Sequence, residues 1–174
     1  MAIAERWMAE RFNRPGHTVV DSYTYALVSD GDLQEGISYE ASSLAGFLGL
    51  GKLVYLYMDN KIQIEGSTEM TFTEDVAGRF RAQGWHVVDR INGLDINAVD
   101  AAISEAQDVR DKPSLIICRT HIGYGSPLQD NEASHGAPLG EENVIAAKKQ
   151  LGWPTEPTFF VPDDVYEHMR QAID

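Results

Sequence analysis

The residues best equipped for chemistry are Ser29-Asp30-Gly31, then Glu35-Gly36, and the later run Asp59-Asn60-Lys61-Ile62. Asp30 follows the apolar run Tyr25–Val28, and Asn60 follows a second apolar run, Leu53–Met58. If both runs are parallel strands joined by one crossover, the two side chains meet beyond the strands' carboxyl ends, where open sheets bind ligands. An aspartate oxygen and an amide oxygen are hard donors, suited to Mg²⁺ or Ca²⁺ and poor for zinc. Magnesium takes one or two carboxylates plus phosphate oxygens. A diphosphate would therefore supply two of the remaining positions, and a backbone carbonyl just after Asn60, such as that of Ile62, another. Gly31 lets a phosphate approach the backbone with no Cβ in the way. A helix expected to begin near Glu35 offers free N–H groups to the same anion.

Each residue also has a plainer reading. Asp30-Gly31 is a common turn signal between strand and helix. Glu35 is either a surface acid favoured by the helix dipole or a buried carboxylate facing a partner subunit. His135, in Ala133-Ser134-His135-Gly136-Ala137-Pro138, is either a solvent-exposed histidine or a binding residue. The second reading gains from Gly123-Tyr124-Gly125-Ser126-Pro127, which suggests a shaped loop over the sheet's carboxyl edge. The sequence holds no Cys/His cluster with metal spacing, no nucleophile elbow and no P-loop. The single cysteine, Cys118, lies in an apolar run and reads as a small core residue rather than a nucleophile.

The elements that must position these residues alternate. A helix is expected over 2–12, with Ile3, Trp7, Met8 and Phe12 near helical spacing, and Asn13–His17 stops it. Extended segments are expected at Val19–Val28, Leu53–Met58, Trp85–Val88 and Ser114–Cys118. Between them lie helices at Glu35–Leu48, Thr73–Gln83 with Thr73 as cap, and Asp95–Val109 with Ile96, Val99, Ile103 and Ala106 on one stripe. A Gly/Pro-bearing loop spans Gly123–Gly140, and short helices follow near 141–150 and 163–172. Continuous apolar strands with helical crossovers predict an α/β fold, a parallel sheet with helices on both faces. Residues 1–174 are expected to form a single domain, with 120–174 as a loop and short-helix tail.

Composition narrows the partners. The chain has 174 residues, 43% of them hydrophobic, and a net charge of -13. So acidic a surface repels phosphate backbones, which argues against nucleic acid. It also requires any anionic ligand to be held by a local device such as a metal or a helix N-terminus. No apolar run approaches the roughly 18 residues of a membrane span. The N-terminus does not read as a secretory signal, and one thiol suits a reducing compartment, so the expectation is a soluble, cytoplasmic protein.

Taken in order, these residues resemble the diphosphate-binding domain of transketolase, a thiamine diphosphate enzyme, nearly end to end. The likeness runs through Arg11-Phe12-Asn13-Arg14-Pro15-Gly16-His17, Asp30-Gly31 with Glu35-Gly36-Ile37-Ser38 and Glu40-Ala41, and Ser42–Gly46 with Leu50–Leu53. It continues through Asp59-Asn60-Lys61-Ile62, Ile64-Glu65-Gly66, Thr120–Pro127, Ser134–Gly140 and Leu151-Gly152-Trp153. The resemblance implies the thiamine diphosphate-binding fold, with Asp30, Asn60 and the Ile62 carbonyl holding Mg²⁺ or Ca²⁺. It implies that Gly31 contacts the diphosphate, that Glu35 belongs to a dimer contact, and that His135 reaches the diphosphate and the substrate as a catalytic residue. The family moves a two-carbon ketol unit between sugar phosphates.

Ser29 stands where the family motif has its first glycine, which a strand-end serine tolerates because no positive φ is needed there. Met58 stands where a second acid often precedes Asp59-Asn60. Against the family pattern, the chain is expected to begin after a glycine-rich loop and to end before the pyrimidine-binding domain with its activating glutamate. Two readings follow. The first is a transketolase segment or subunit, inactive as an isolated chain and active once a pyrimidine-domain chain complements it, with a homo-oligomer or a complex with such a chain as its expected assembly. The second is a non-catalytic phosphate-ligand or interaction module that keeps the same fold.

Overall fold

The computed structural model describes residues 1–172. Residues Met1–His121 form one compact unit and the chain from Ile122 onward forms a second. The first unit carries the sheet. Strands β1 (Thr24–Ser29), β2 (Leu53–Asp59), β5 (His86–Asn92) and β6 (Ser114–Arg119) lie in the order β1-β2-β6-β5. All three pairings are parallel, with Ser29 opposite Met58 and Asp59 opposite Arg119. The α/β expectation holds. A two-strand hairpin not expected from the sequence, β3 (Ile62–Gln63) with β4 (Gly66–Ser67), follows β2 directly. Two-residue strands give no periodicity to read.

The strands are apolar on both sides because both sides are covered. Leu53, Tyr57, Leu115 and Ile117 face one core with Leu33, Phe80 and Trp85. Val54, Ile116 and Cys118 face the other with Ala102 and Ala106. The first core is closed by α1 (Ala2–Phe12), α2 (Asp30–Gln34), α3 (Gly36–Leu48) and α4 (Val76–Ala82), which contribute Ala2, Leu33, Ala45, Val76, Ala77 and Phe80. The second is closed by α5 (Ile96–Asp108). Phe80 meets Trp85 edge-on at 4.9 Å, and Tyr55 lies 5.0 Å from the same indole.

Several helices depart from expectation for local reasons. The helix expected from Glu35 is present as α3, with Glu35 as its extended N-cap (φ -64°, ψ 135°), but a short helix not expected from the sequence, α2, begins at Asp30 just before it. Helix α4 starts at Val76, not Thr73. Asp75 caps it by accepting from Gly78 N–H, while Glu74 is drawn aside to Arg79 and to the Tyr39 hydroxyl. Helix α5 buries Ala102 and Ala106, but Ile96 is exposed because it is the first residue beyond the Asp95 cap. Helix α1 buries Ala2 and Glu5, and its expected apolar residues Ile3, Trp7, Met8 and Phe12 lie exposed.

Helix α3 explains its own orientation. A Cβ on Gly46 would lie 1.7 Å from the Gln83 carbonyl oxygen, so this face must be small. Ser42 and Ala45 are buried beside it, and the Trp85 indole N–H donates to the Ser42 carbonyl at 2.8 Å. The bulky residues Ile37, Leu44 and Phe47 therefore point outward.

In the second unit, the loop from Gly123 is not slack. Asp130 N–H donates to the Ile122 carbonyl, the Ser134 hydroxyl to the Leu128 carbonyl, and Gly125 N–H to the Gln129 side chain. A short 3₁₀ turn spans Glu132–Ser134, and α6 (Glu141–Gln150) and α7 (Asp163–Arg170) follow.

Candidate functional site

The site sits at the carboxyl ends of β1 and β2. Because Ser29 pairs with Met58, the next residue on each strand, Asp30 and Asp59, comes to the same edge, and Asn60 follows at once. Ser29 itself is extended (φ -110°, ψ 175°), so the serine in place of a glycine costs no strain. Its N–H and hydroxyl both donate to Asp32, each at 2.8 Å, which ties the corner into the first turn of α2. Gly31 is exposed and its φ is not positive. A Cβ there would meet only the Ser29 hydroxyl oxygen at 4.0 Å, so the glycine leaves open space above the corner.

Asp30 is the centre of the arrangement. It is 1% exposed. Its Oδ1 accepts a hydrogen bond from the Tyr57 hydroxyl, while Oδ2 is buried with no partner. Burial pushes its carboxyl pKa up, the Tyr57 hydrogen bond opposes that, the nearby Asp59 charge pushes it further up, and the Lys61 charge and backbone N–H pull it partly back down. Asp59, 5% exposed, is held by Lys61 Nζ at 2.7 Å and lies 3.4 Å from the Tyr57 hydroxyl. Burial and the two carboxylates raise the Tyr57 phenol far above its ordinary range, so it stays a proton donor.

Asn60 is half-buried and its Oδ1 accepts from Ile62 N–H at 2.8 Å, an Asx turn that hands the chain from β2 into the hairpin. An amide oxygen has two lone pairs, so one remains for a ligand. Lys61 occupies the left-handed region (φ 67°) at this turn, which also brings its ammonium back to Asp59. On the other flank, Gln34 Nε2 donates to Gln63 Oε1 at 3.4 Å, linking the end of α2 to the hairpin that carries Ile62.

A cation suits these residues on chemical grounds. An unpaired carboxylate oxygen out of water, next to a second carboxylate, is costly unless a positive charge meets it. The donors available are oxygens, which suit a hard divalent ion. Among the described residues no group of three or more His, Cys, Asp or Glu side chains could hold a metal, so the remaining positions fall to amide, carbonyl and ligand oxygens.

Asp30 and Gly31 thus lie just past the end of β1 and Asn60 just past the end of the adjacent β2, with Ile62 two residues on in the hairpin. Glu35 does not: it is exposed at the break between α2 and α3, and the helix N-terminus next to Asp30 is that of α2 rather than the one expected at Glu35. His135 belongs to the second unit, exposed just after the 3₁₀ turn, with its N–H donating to the Glu132 carbonyl at 2.8 Å. Sequence reasoning gave no role to Tyr57, Asp59 or Lys61. The signal available was alternation: Tyr57 and Asp59 are two apart on one strand and share a face. Cys118 is buried and its thiol is pushed up by burial, which matches an inert core residue. Among the described residues no helix is long and apolar enough to cross a membrane.

Comparison with known proteins agrees with the fold. The sequence model of the family described as "Transketolase, thiamine diphosphate binding domain" matches residues 1–174. Transketolase 2 of Escherichia coli is 56% identical over 167 residues, which cover 95% of this chain and 25% of that protein. The transketolase of Buchnera aphidicola (subsp. Baizongia pistaciae) is 53% identical over 169 residues, 97% of this chain and 25% of that protein. A Pichia stipitis transketolase variant solved with fructose-6-phosphate superposes with a TM-score of 0.93 at 44% identity, over 98% of this chain and 25% of its own. The transketolase of Leishmania mexicana gives 0.93 at 42% identity, over 98% of this chain and 26% of its own. The chain therefore spans about a quarter of the length of these relatives. It belongs to the transketolase family, as its thiamine diphosphate-binding domain.

Proposed function

We propose that residues 1–174 act as the metal- and diphosphate-holding segment of a transketolase, transferring a two-carbon ketol unit between a ketose phosphate and an aldose phosphate when a pyrimidine-binding domain complements it. The observation that carries this reading is the buried, unpartnered Oδ2 of Asp30 at the ends of two adjacent strands. Thiamine diphosphate supplies the carbanion chemistry of such transfers when bound. The chain's own residues do the holding. Asp30 Oδ2, the free lone pair of Asn60 Oδ1 and the Ile62 carbonyl are assigned to Mg²⁺, with Ca²⁺ as a substitute. Gly31 is assigned to admit the diphosphate to the backbone. On the family resemblance, His135 is assigned to the diphosphate and the sugar phosphate, and Glu35 to a contact with a second subunit. The uncovered residues Ile37, Leu44 and Phe47 on α3 support the subunit reading. Cytoplasmic placement and a role in sugar phosphate exchange complete the proposal.

Calorimetry with thiamine diphosphate, with and without Mg²⁺, tests it directly. The expected result is Mg²⁺-dependent binding by the chain that Asp30→Ala abolishes and Asn60→Ala weakens. Binding that ignores Mg²⁺ or survives Asp30→Ala would overturn the assignment. Ketol transfer is expected only in a mixture with a pyrimidine-domain chain, and its absence from every such mixture would refute the subunit reading. Plain diphosphate separates the module alternative: a strong preference for the whole cofactor argues against a phosphate-only module.

A further inference from the structure

Tyr57 is 2% exposed on β2, and its hydroxyl has one proton to give to two flanking carboxylates. That proton goes to Asp30 Oδ1, the closer oxygen, while Asp59 Oδ1 stands 3.4 Å away and takes its main partner from Lys61 Nζ at 2.7 Å. Asp59 is therefore occupied, and Asp30 is left with one engaged oxygen and one open one, Oδ2. A carboxylate held this way offers a cation Oδ2 with both lone pairs open, while Oδ1 keeps only the one that the Tyr57 hydroxyl leaves, so one-oxygen ligation is favoured over two-oxygen ligation. Mg²⁺ requires single donors at octahedral positions about 2.0–2.1 Å away, whereas Ca²⁺ accepts carboxylates through one or both oxygens at about 2.3–2.6 Å.

We propose that Tyr57 is a positioning residue that presents Asp30 as a one-oxygen ligand and thereby biases this corner toward Mg²⁺ over Ca²⁺. The inference rests on the metal-site reading given above. It assigns Tyr57 no contact with cation or cofactor, and it assigns Lys61 the task of keeping Asp59 from competing for the same hydroxyl.

The test uses the chain with inorganic diphosphate as probe, titrated with Mg²⁺ or Ca²⁺ by calorimetry, for wild type, Tyr57→Phe and Asp30→Ala. Tyr57→Phe keeps the ring, and far-UV circular dichroism checks that the fold is kept. The expected result is a loss of Mg²⁺ affinity of about tenfold, the usual scale for removing a ligand's outer partner, with a smaller loss or a gain for Ca²⁺. The Mg²⁺/Ca²⁺ preference thus falls. Equal losses for both ions would mark a merely structural role and overturn the proposal, as would unchanged affinities. If the wild type shows no cation-dependent diphosphate binding, or if Asp30→Ala binds as well as wild type, the metal site itself is refuted and the inference falls with it.

Discussion

At the scale of single residues, Asp30 is a group whose burial costs stability, a cost that the proposed cation would relieve. Its carboxyl is pushed above the 3.8 of an exposed aspartate by burial, against the pull of Tyr57 and with the push of Asp59. Between 3.8 and that raised value the folded chain binds more protons than the unfolded one, so Asp30 makes stability fall as pH rises through the window. Asp30→Asn should remove that fall and raise the melting temperature of the metal-free chain at neutral pH. Adding Mg²⁺ with diphosphate should raise the melting temperature of wild type and leave the variant unmoved. Thermal melts across pH, with and without the ion, read both effects. An Asp30→Asn melting curve that keeps the wild-type pH profile would show that this carboxylate does not carry the strain assigned to it. The same comparison distinguishes a ligand-ready carboxylate from an ordinary turn aspartate, because a solvated turn residue would change neither profile.

At the scale of elements, close approach decides more than hydrophobic pattern. Helix α3 meets the Gln83–Trp85 segment through Ser42, Ala45 and Gly46, and the gap there is smaller than a methyl group. Gly46→Ala should cost about 3 kcal/mol, the upper range for overpacking a tight contact, or prevent folding. Chemical denaturation measures it, and a cost under about 1 kcal/mol would mean the helix shifts freely. Helix α1 is pinned to the start of β2 by Lys52, whose Nζ reaches the buried Glu5 at 2.7 Å and also pairs with Asp21. Lys52→Ala leaves Glu5 without that partner and should destabilise by about 2 kcal/mol, the scale of a hydrogen bond to a charged group. Glu5→Gln with Lys52→Ala should recover part of the loss, since the buried charge is then gone. A double mutant no more stable than Lys52→Ala would place the effect in lost packing instead.

At the scale of the whole molecule, the bulky side chains on the outer surfaces of α1 and α3 are the conspicuous property. Trp7 is 64% exposed and Phe47 is 85% exposed, on helices whose buried faces are built from alanine, serine and glutamate. Helices normally turn such residues inward. Their outward placement is the pattern of surfaces meant to be covered. Sedimentation velocity should show self-association that grows with concentration, and Phe47→Glu should reduce it. A chain that stays monomeric at high concentration would argue against a subunit contact on this face. The acidic surface, with a net charge of -13, would limit such association at low salt, so moderate salt should favour it.

Much of the α/β fold was legible in the order of residues, because period-2 and period-3.6 patterns and apolar runs between glycines are local and additive. The four strands fell where apolar runs predicted them, and β1 and β2 brought Asp30 and Asn60 to one sheet edge as parallel pairing requires. Helix α3 began where Glu35 predicted, but the short helix α2 before it escaped notice because five residues around an Asp-Gly pair read as a turn. The outward face of α1 escaped it because an apolar stripe does not say which side is crowded; at α3 a backbone oxygen 1.7 Å from where a Cβ on Gly46 would sit says which side is crowded. The types and spacing of residues pointed to a hard cation and a phosphate, the chemistry proposed for this corner. Only the folded chain decided that Tyr57 takes one oxygen of Asp30 and leaves the other open, since that choice depends on distances between side chains that sequence separation does not encode.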